Sequence, residues 1–431
     1  MRRLGVMLGS IATVACSTVL TSSTAVGVDG GAPDADVAMA TDDAQIFDAS
    51  TEPADRPDVA TVADLGGTPD ATADALPECG ATASCRFVTN VSPGGCARTV
   101  DGTIWCWGGN SSGRLGDGTN TSSLVPLMNP YLTGATAVFT TFDHTCAITP
   151  PGSVWCWGSN GSGESGGAPG TLRWAPRVVA GIADVVQITP AASFTCALRR
   201  DGTVWCWGQN NEGGLGMPHR IFVTGTPQQV PGVSGAVQIA ASVSTVCARR
   251  DDGSLLCWGS NQGGSIGDGS TSYAAPPTRV SLIDDALDVG TGEAHTCALR
   301  SDHTVWCWGS NRFDALGGGP DSTTPRRVDG ITAVQQIAVG QNHTCARLAD
   351  GSVKCWGTTV SGSPPGSIGT YGPTPVTIAG TAGSVDVRAS RVNDCVRFAD
   401  GHLACWGVGD DGAIGDGSTT STMTATPVVF P

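Results

Sequence analysis

The chain has 431 residues, a formal net charge of −15 and 17 cysteines. One lysine, Lys354, and singly scattered arginines leave no basic stripe, which excludes an electrostatic reader of nucleic acid. A cysteine count this high points away from the cytosol, where thiols are kept reduced.

At the N-terminus Arg2 and Arg3 precede an apolar run from Leu4 to Val14, with the charge and length of a secretory signal rather than of a membrane span. Two cleavage points are open. Residues 1–25 read as a signal peptide cut after Ala25, whereas "TVAC" (Thr13 to Cys16) resembles the lipobox before whose cysteine bacterial lipoproteins are cut and acylated, with Thr13 in place of the usual Leu, Val or Ile. Fourteen cysteines fall in repeated pairs, Cys79 and Cys85 make another pair, and Cys16 is left over; lipidation of Cys16 accounts for it. Ser17, by resemblance to lipoprotein sorting, implies an outer-membrane or cell-surface lipoprotein that meets the membrane only through its lipid; a periplasmic or secreted protein is the alternative. Residues 26–78 hold 11 Asp, two Glu and one Arg. At a net −12 this stretch is too polar and self-repelling to bury a core and reads as a disordered tether. With +2 in the leader, residues 79–431 carry −5 of the total.

From about residue 86 a unit recurs seven times, its first cysteine at 96, 146, 196, 247, 297, 345 and 395. Each unit alternates short apolar runs with turn residues, as in "AVQQIAVG" and "PVTIAG", which predicts about four strands per unit and no helix. In "CALRRDGTVWC" the "RDG" fits a three-residue hairpin loop with Gly202 left-handed, so that Cys196 faces Cys206 across the hairpin at disulfide reach. The same spacing pairs Cys96 with Cys106, Cys146 with Cys156, Cys247 with Cys257, Cys297 with Cys307, Cys345 with Cys355 and Cys395 with Cys405. In that register Trp205 and Trp207 point away from the cysteine, Trp205 opposite Ala197, and both are expected in the core; in the last unit Ala404 replaces the large residue and faces the bulkier Val396. No unit looks like a polar cap. The expectation is an all-β, seven-bladed propeller of four-stranded antiparallel blades over 79–431, starting at Phe87–Val91, ending at Pro427–Phe430, its two ends meeting in one blade.

The pattern "GxxHTCAL..DGxVWCWGxNxxGxLGDG", present as "GEAHTCALRSDHTVWCWGSN" and "CWGGNSSGRLGDGTN", resembles the repeat of the regulator-of-chromosome-condensation family. The resemblance implies a seven-bladed propeller over residues 86–431. The founder's guanine-nucleotide exchange depends on a protruding wedge, while the steps between units here are 48 to 51 residues. The family's plant photoreceptor has Trp two residues before the repeat His, where this chain has Phe142, Glu293 and Gln341. A secreted β-lactamase inhibitory protein that grips its enzyme with propeller loops is a relative nearer in setting.

For catalysis, "DGTIW" (Asp101 to Trp105) resembles the Asp-box of propeller glycoside hydrolases such as sialidases, but with Asp and Gly adjacent, and Tyr131, Tyr273 and Tyr371 have no evident base partner. His144, His295 and His343 each belong to a different blade, so a structural role is expected of them rather than a shared metal. "GGNSSGRLGDG" and the "GDG" segments at Asp117, Asp268 and Asp416 read as turns, lacking the lysine of a phosphate loop and the spacing of a calcium loop. No catalytic, cofactor or metal site is assigned. The departures from the repeat are instead loop residues of the kind interfaces concentrate: Arg173 and Trp174, the run Met217, Pro218, His219, Arg220, Ile221, Phe222, then Tyr273, and Arg312 with Phe313. The expectation is a monomeric, non-catalytic module that engages a protein or glycan through rim loops; an enzyme inhibitor, an exchange factor and a hydrolase are the alternatives.

Overall fold

Short apolar runs broken by glycine-bearing turns cannot sustain helices, and each 50-residue unit folds into four antiparallel strands. The computed structural model describes residues 88–92, 95–141, 143–217, 223–272, 275–358 and 370–431; the leader, the tether, Cys16, Cys79 and Cys85 lie outside them. The seven sheets span residues 88–128, 137–178, 185–229, 236–279, 286–327, 334–377 and 384–427, and in each the strand order follows the chain.

The hairpin of blade 3 shows how the turn sets the register. Arg199 N donates to Thr203 O and Gly202 N to Arg199 O, both at 3.0 Å, closing a loop over Arg200, Asp201 and Gly202. Gly202 has φ +76°. Asp201 Oδ1 accepts from Thr203 Oγ1 at 2.6 Å, and this bond holds the carboxyl below its ordinary range. In blade 5 His303 takes the glycine's place at φ +62°, held by its Nδ1–H on Val334 O at 2.8 Å. From such turns Cys196 pairs with Cys206 and Ala197 with Trp205. All seven cysteine pairs of the blades are disulfides with Cα atoms 4.1 Å apart.

Alternation then gives each blade a cysteine face and a tryptophan face. The second tryptophan of each unit is wholly buried against the disulfide of the preceding blade: Trp157 lies on Cys96 and Cys106, Trp207 on Cys146 and Cys156, and so round to Trp107 on Cys395 and Cys405. Seven such clusters for seven blades close the ring. Each buried indole removes roughly 150–250 Å² from water, on the order of 4–6 kcal/mol as an upper bound. The indole N–H bonds a carbonyl of the preceding blade's loop: Trp157 to Arg114 O (2.8 Å), Trp207 to Glu164 O (2.9 Å), Trp258 to Gly214 O (3.0 Å), Trp308 to Ser265 O (2.9 Å), Trp356 to Ala315 O (2.9 Å) and Trp107 to Ala413 O (3.2 Å).

The structure corrects three expectations. The first tryptophan of the pair is only half-buried in blades 2, 3 and 5, packing with part of its ring against the core in blades 2 and 5; its N–H is taken by a threonine, as in Trp205 to Thr203 Oγ1 at 3.1 Å. The last strand is Thr422–Pro427, not Pro427–Phe430: pairing of Cys405 with Thr426 pulls the strand upstream, and Phe430 folds over Trp105 and Trp107 as an edge-on lid. The ends do not share a blade. The first strand, Val88–Ser92, pairs within blade 1, and the seam with blade 7 is closed by side chains of both, with Val88 N on Gly401 O at 3.2 Å.

Two histidines fasten blades at the same level. His144 Nε2 meets Thr195 Oγ1 of blade 3 at 2.8 Å, and His295 Nε2 meets Thr344 Oγ1 of blade 6 at 3.1 Å. They bond the neighbouring blade's second strand. Burial pushes both imidazoles down to about 3, so they stay neutral in the folded chain.

Two outcomes follow from these contacts. Trp258→Phe leaves the buried Gly214 carbonyl without its donor and is expected to lower stability by about 1–3 kcal/mol, whereas Trp205→Phe, at a half-exposed site, costs under about 1 kcal/mol; urea unfolding of the two variants measures the difference. In the unfolded chain His144 and His295 protonate near ~6.5, so below that pH the unfolded state binds more protons and stability falls toward the folded value of about 3. Each contributes a slope of about 1.4 kcal/mol per pH unit, and His144→Gln should remove one share between pH ~6 and ~5.

Candidate functional site

Antiparallel order puts the links between strands 1 and 2 and between strands 3 and 4 at one end of every blade, and the hairpins and blade-to-blade links at the other. The first strands surround a central cavity of about 430 Å³. An inner edge strand presents unpaired backbone groups. Side chains at one register position cover them from the preceding blade: Gln187 Oε1 and Nε2 bond Ile239 N and O at 2.9 Å, Gln336 bonds Val387 N and O at 3.1 and 3.2 Å, and Asn90 Oδ1 accepts from Val138 N at 3.0 Å. Gln238 and Gln336 also donate to Asp288 Oδ1 (2.6 Å) and Asp386 Oδ1 (2.7 Å).

The residue opposite the first cysteine lines the cavity in every blade. It is Ala240, Gly290 and Ala338 in blades 4–6, but Phe139 in blade 2 and Arg388 in blade 7. Arg388 pairs with Asp386 at 3.2 Å; this carboxylate first, and Asp288 after it, hold the guanidinium above its ordinary range despite burial. Burial raises the Asp288 carboxyl.

At the loop end of the cavity, Arg114 of blade 1 donates from Nε to Gly109 O at 2.5 Å and from Nη1 to Thr141 O of blade 2 at 3.2 Å. Burial lowers it to about 10 against the opposing pull of Asp143 and Asp411. One arginine thereby ties blades 7, 1 and 2 together. The "GDG" aspartates are turn-makers: Asp117, Asp268 and Asp416 each accept from a backbone N–H two residues on, at 2.9–3.0 Å.

The third repeat histidine differs. His343 Nε2 lies 2.7 Å from Asp394 Oδ1, Tyr371 Oη donates to Asp394 Oδ2 at 3.0 Å, and Trp406 Nε1 donates to Tyr371 Oη at 3.0 Å. Burial, with Asp394 beside it, keeps the Tyr371 phenol well above its ordinary value. Asp394 stands where blades 2, 3, 5 and 6 carry threonine and blade 4 carries Val246, a departure readable by aligning the units. His343 and Asp394 have no exposed surface, and Tyr371 is 6% exposed. His343, Cys345 and Asp394 form the one metal-like grouping among the described residues, but Cys345 is bonded to Cys355 and offers no thiolate.

Of the loop residues singled out from the sequence, the described ones lie at the strand 3–4 end of blades 2, 3 and 5. Arg173 is turned into its own loop, donating from Nη1 to Ser165 O at 2.9 Å and also to Gly166 O. Trp174 is 43% exposed and packs on Gly113 of blade 1, where a Cβ would come within 2.8 Å of the indole. Arg312 is exposed, its guanidinium 5.2 Å over the Phe313 ring. Met217 is half-buried against the core between blades 3 and 4. His219, Arg220, Ile221, Phe222 and Tyr273 fall outside the described residues. The described groups are therefore distributed around one end of three blades and do not gather into one cluster. Sequence reading missed Arg114, Arg388 and the Asp394 network.

No curated protein matches the chain. Among solved structures, yeast RCC1 (Prp20) bound to Kap60 is similar at 22% identity and a TM-score of 0.66, over 82% of this chain and 89% of that one. Prp20p from Saccharomyces cerevisiae, in a study of its binding to Gsp1p and histones, gives 24% and 0.66 over 80% and 87%. Human WBSCR16 gives 19% and 0.68 over 76% and 95%. These likenesses establish the fold. The RCC1-like domain model matches residues 63–364, most of the chain, and with seven disulfide-stapled four-stranded blades around one channel the chain belongs to the RCC1-like domain family.

Proposed function

We propose that this protein is an exported, non-catalytic binding module, held at the cell envelope by a lipid on Cys16 and the acidic tether, that engages a protein partner with its strand 3–4 loops. The observation that carries the reading is the exposure of Trp174 and of Arg312, whose guanidinium lies over the half-buried Phe313 ring, at the same end of a stapled ring. Aromatic and arginine side chains dominate interface energetics, and a body cross-linked in every blade holds them without an ordering cost on binding. Disulfides in all seven blades favour an oxidising compartment. Two structural neighbours are known with protein partners, Kap60 for one and Gsp1p and histones for the other, which supports a protein over a small substrate. Enclosure of the His343–Asp394–Tyr371 network argues against using it for turnover.

Affinity capture from envelope and culture fractions with the oxidised full chain is expected to retain a stoichiometric partner. Trp174→Ala combined with Arg312→Ala should weaken it at least tenfold, since two anchors at about 1–2 kcal/mol each are removed; equal retention would discard this rim, and substrate turnover in place of a complex would discard the non-catalytic reading. The anchor has its own check. Cys16→Ala should abolish fatty-acid labelling, and labelling that persists removes the lipoprotein assignment.

A further inference from the structure

We infer that the outer flank of blades 1 and 2 rests on a phospholipid surface, its apolar side chains at the acyl boundary and its exposed arginine on the phosphates. This goes beyond partner binding and beyond contact through a lipid on Cys16, and it needs neither; the flank shares only Trp174 with the partner surface.

Of the fifteen exposed large apolar side chains among the described residues, seven lie between Leu124 and Val178. They sit on or beside the outermost strands of two neighbouring blades, Ser123–Met128 and Arg173–Val178. Blades 3 to 6 are polar at the same register. The residue paired with the position before the second cysteine is Met128 in blade 1 and Val178 in blade 2, but Gln229, Arg279, Arg327 and Thr377 in the next four. Met128 is 53% exposed and Val178 55%. Leu127 stands on the cysteine face of blade 1, which packs against the tryptophan face of blade 2 that carries Val178, so both look into one outer groove. Trp174 and Tyr131 both meet the strand 3–4 loop of blade 1: Gly118 N donates to Trp174 O at 2.9 Å, and a Cβ on Gly118 would lie 2.6 Å from Tyr131 Oη. A contiguous exposed apolar patch of this kind marks a protein or a membrane contact.

The strand edges favour the membrane. A protein interface carries about one hydrogen bond per 100–200 Å², and these edges have few groups left to make them. Pro126 and Pro176 have no N–H, and Val125 is bonded through both its N–H and its carbonyl to Ser123 Oγ. The carbonyls of Leu124 and Trp174 already accept from Gly417 N at 3.1 Å and Gly118 N at 2.9 Å. Hydrocarbon requires no such bonds.

Charge narrows the choice further. The two strands carry Arg173 and Arg177 and no acid. Arg177 is exposed and joins burial in lowering the Arg173 guanidinium, a repulsion that phosphate oxygens relieve. A second copy placed across a two-fold axis would bring two more arginines and still no acid. Indole, phenol and aliphatic side chains bordered by arginine are the composition that settles at a lipid headgroup layer. With −15 on the whole chain, a zwitterionic layer is favoured over an anionic one.

Co-sedimentation with phosphatidylcholine vesicles tests this, using the oxidised chain from residue 26, which carries neither the leader nor Cys16. The chain is expected to sediment with the vesicles. Leu127→Glu combined with Val178→Glu should weaken binding at least tenfold and Arg177→Glu at least threefold, while Leu282→Glu, 66% exposed on the link between blades 4 and 5, should leave it unchanged. No vesicle binding overturns the inference, and so does binding that the double variant retains. An equal loss in Leu282→Glu overturns the assignment to this flank. If the double variant does not fold, Arg177→Glu decides alone. Sedimentation velocity without vesicles gives the remaining outcome: a dimer that the double variant dissociates, with no vesicle binding, overturns the lipid surface and assigns the flank to a second copy.

Discussion

The hydrogen bond from an indole N–H to a loop carbonyl one blade back organises the ring. For Trp157 to reach Arg114 O, the strand 3–4 loop must fold inward between the sheets, and Asn110 makes it do so by accepting from Leu115 N at 3.0 Å. Asn160, Asn210, Asn261 and Asn311 hold Ser165, Leu215, Ile266 and Leu316 in the same way. The next residue must then be glycine, since a Cβ on Gly116, at φ +71°, would lie 2.4 Å from the Trp157 nitrogen. The repeated "N…LG" is thus the receptor half of a contact whose other half is the tryptophan of the following unit. Neither half is stable alone: the carbonyl would be buried unpaired, and the indole would lose both its donor and its packing.

Blade 6 shows what happens when the receptor half changes. For Trp406 the described acceptor is a phenol, Tyr371 Oη, and the threonine that would share the level has become Asp394. The carboxylate binds the phenol on one oxygen and His343 on the other, so the fastening of Trp406 runs on through a chain of three polar side chains. A buried carboxylate is tolerated there because both its oxygens are engaged. The result resembles a catalytic constellation in composition while serving as a fastening, and only its enclosure tells the two apart.

Blade number, strand number, hairpin loop and cysteine pairing were legible because the turn and the cross-strand register lie within a dozen residues and the unit that carries them recurs about every 50 residues. The cysteine and tryptophan faces were legible for the same reason. What escaped depends on the ring having closed. That the first tryptophan is half-exposed, that Phe430 caps Trp105, and that Arg114 joins blades 7, 1 and 2 are relations between residues hundreds of positions apart. Arg388 and Asp394 lay in plain view as departures from the repeat, but a departure acquires meaning only once its neighbours from other blades are known.

Because every blade is one uninterrupted stretch of chain, the seam between blades 7 and 1 lacks a peptide link, carries the Phe430 lid, and is otherwise packed as the other interfaces are. The same indole-to-carbonyl bond, from Trp107 to Ala413 O, crosses it. Continuity of the backbone is therefore topologically interchangeable among the seven positions. A circularly permuted chain, opened at the link between blades 3 and 4 and joined across the present seam, would contain every sheet, every disulfide and every fastening described above. The molecule has an order of synthesis but no structural first blade.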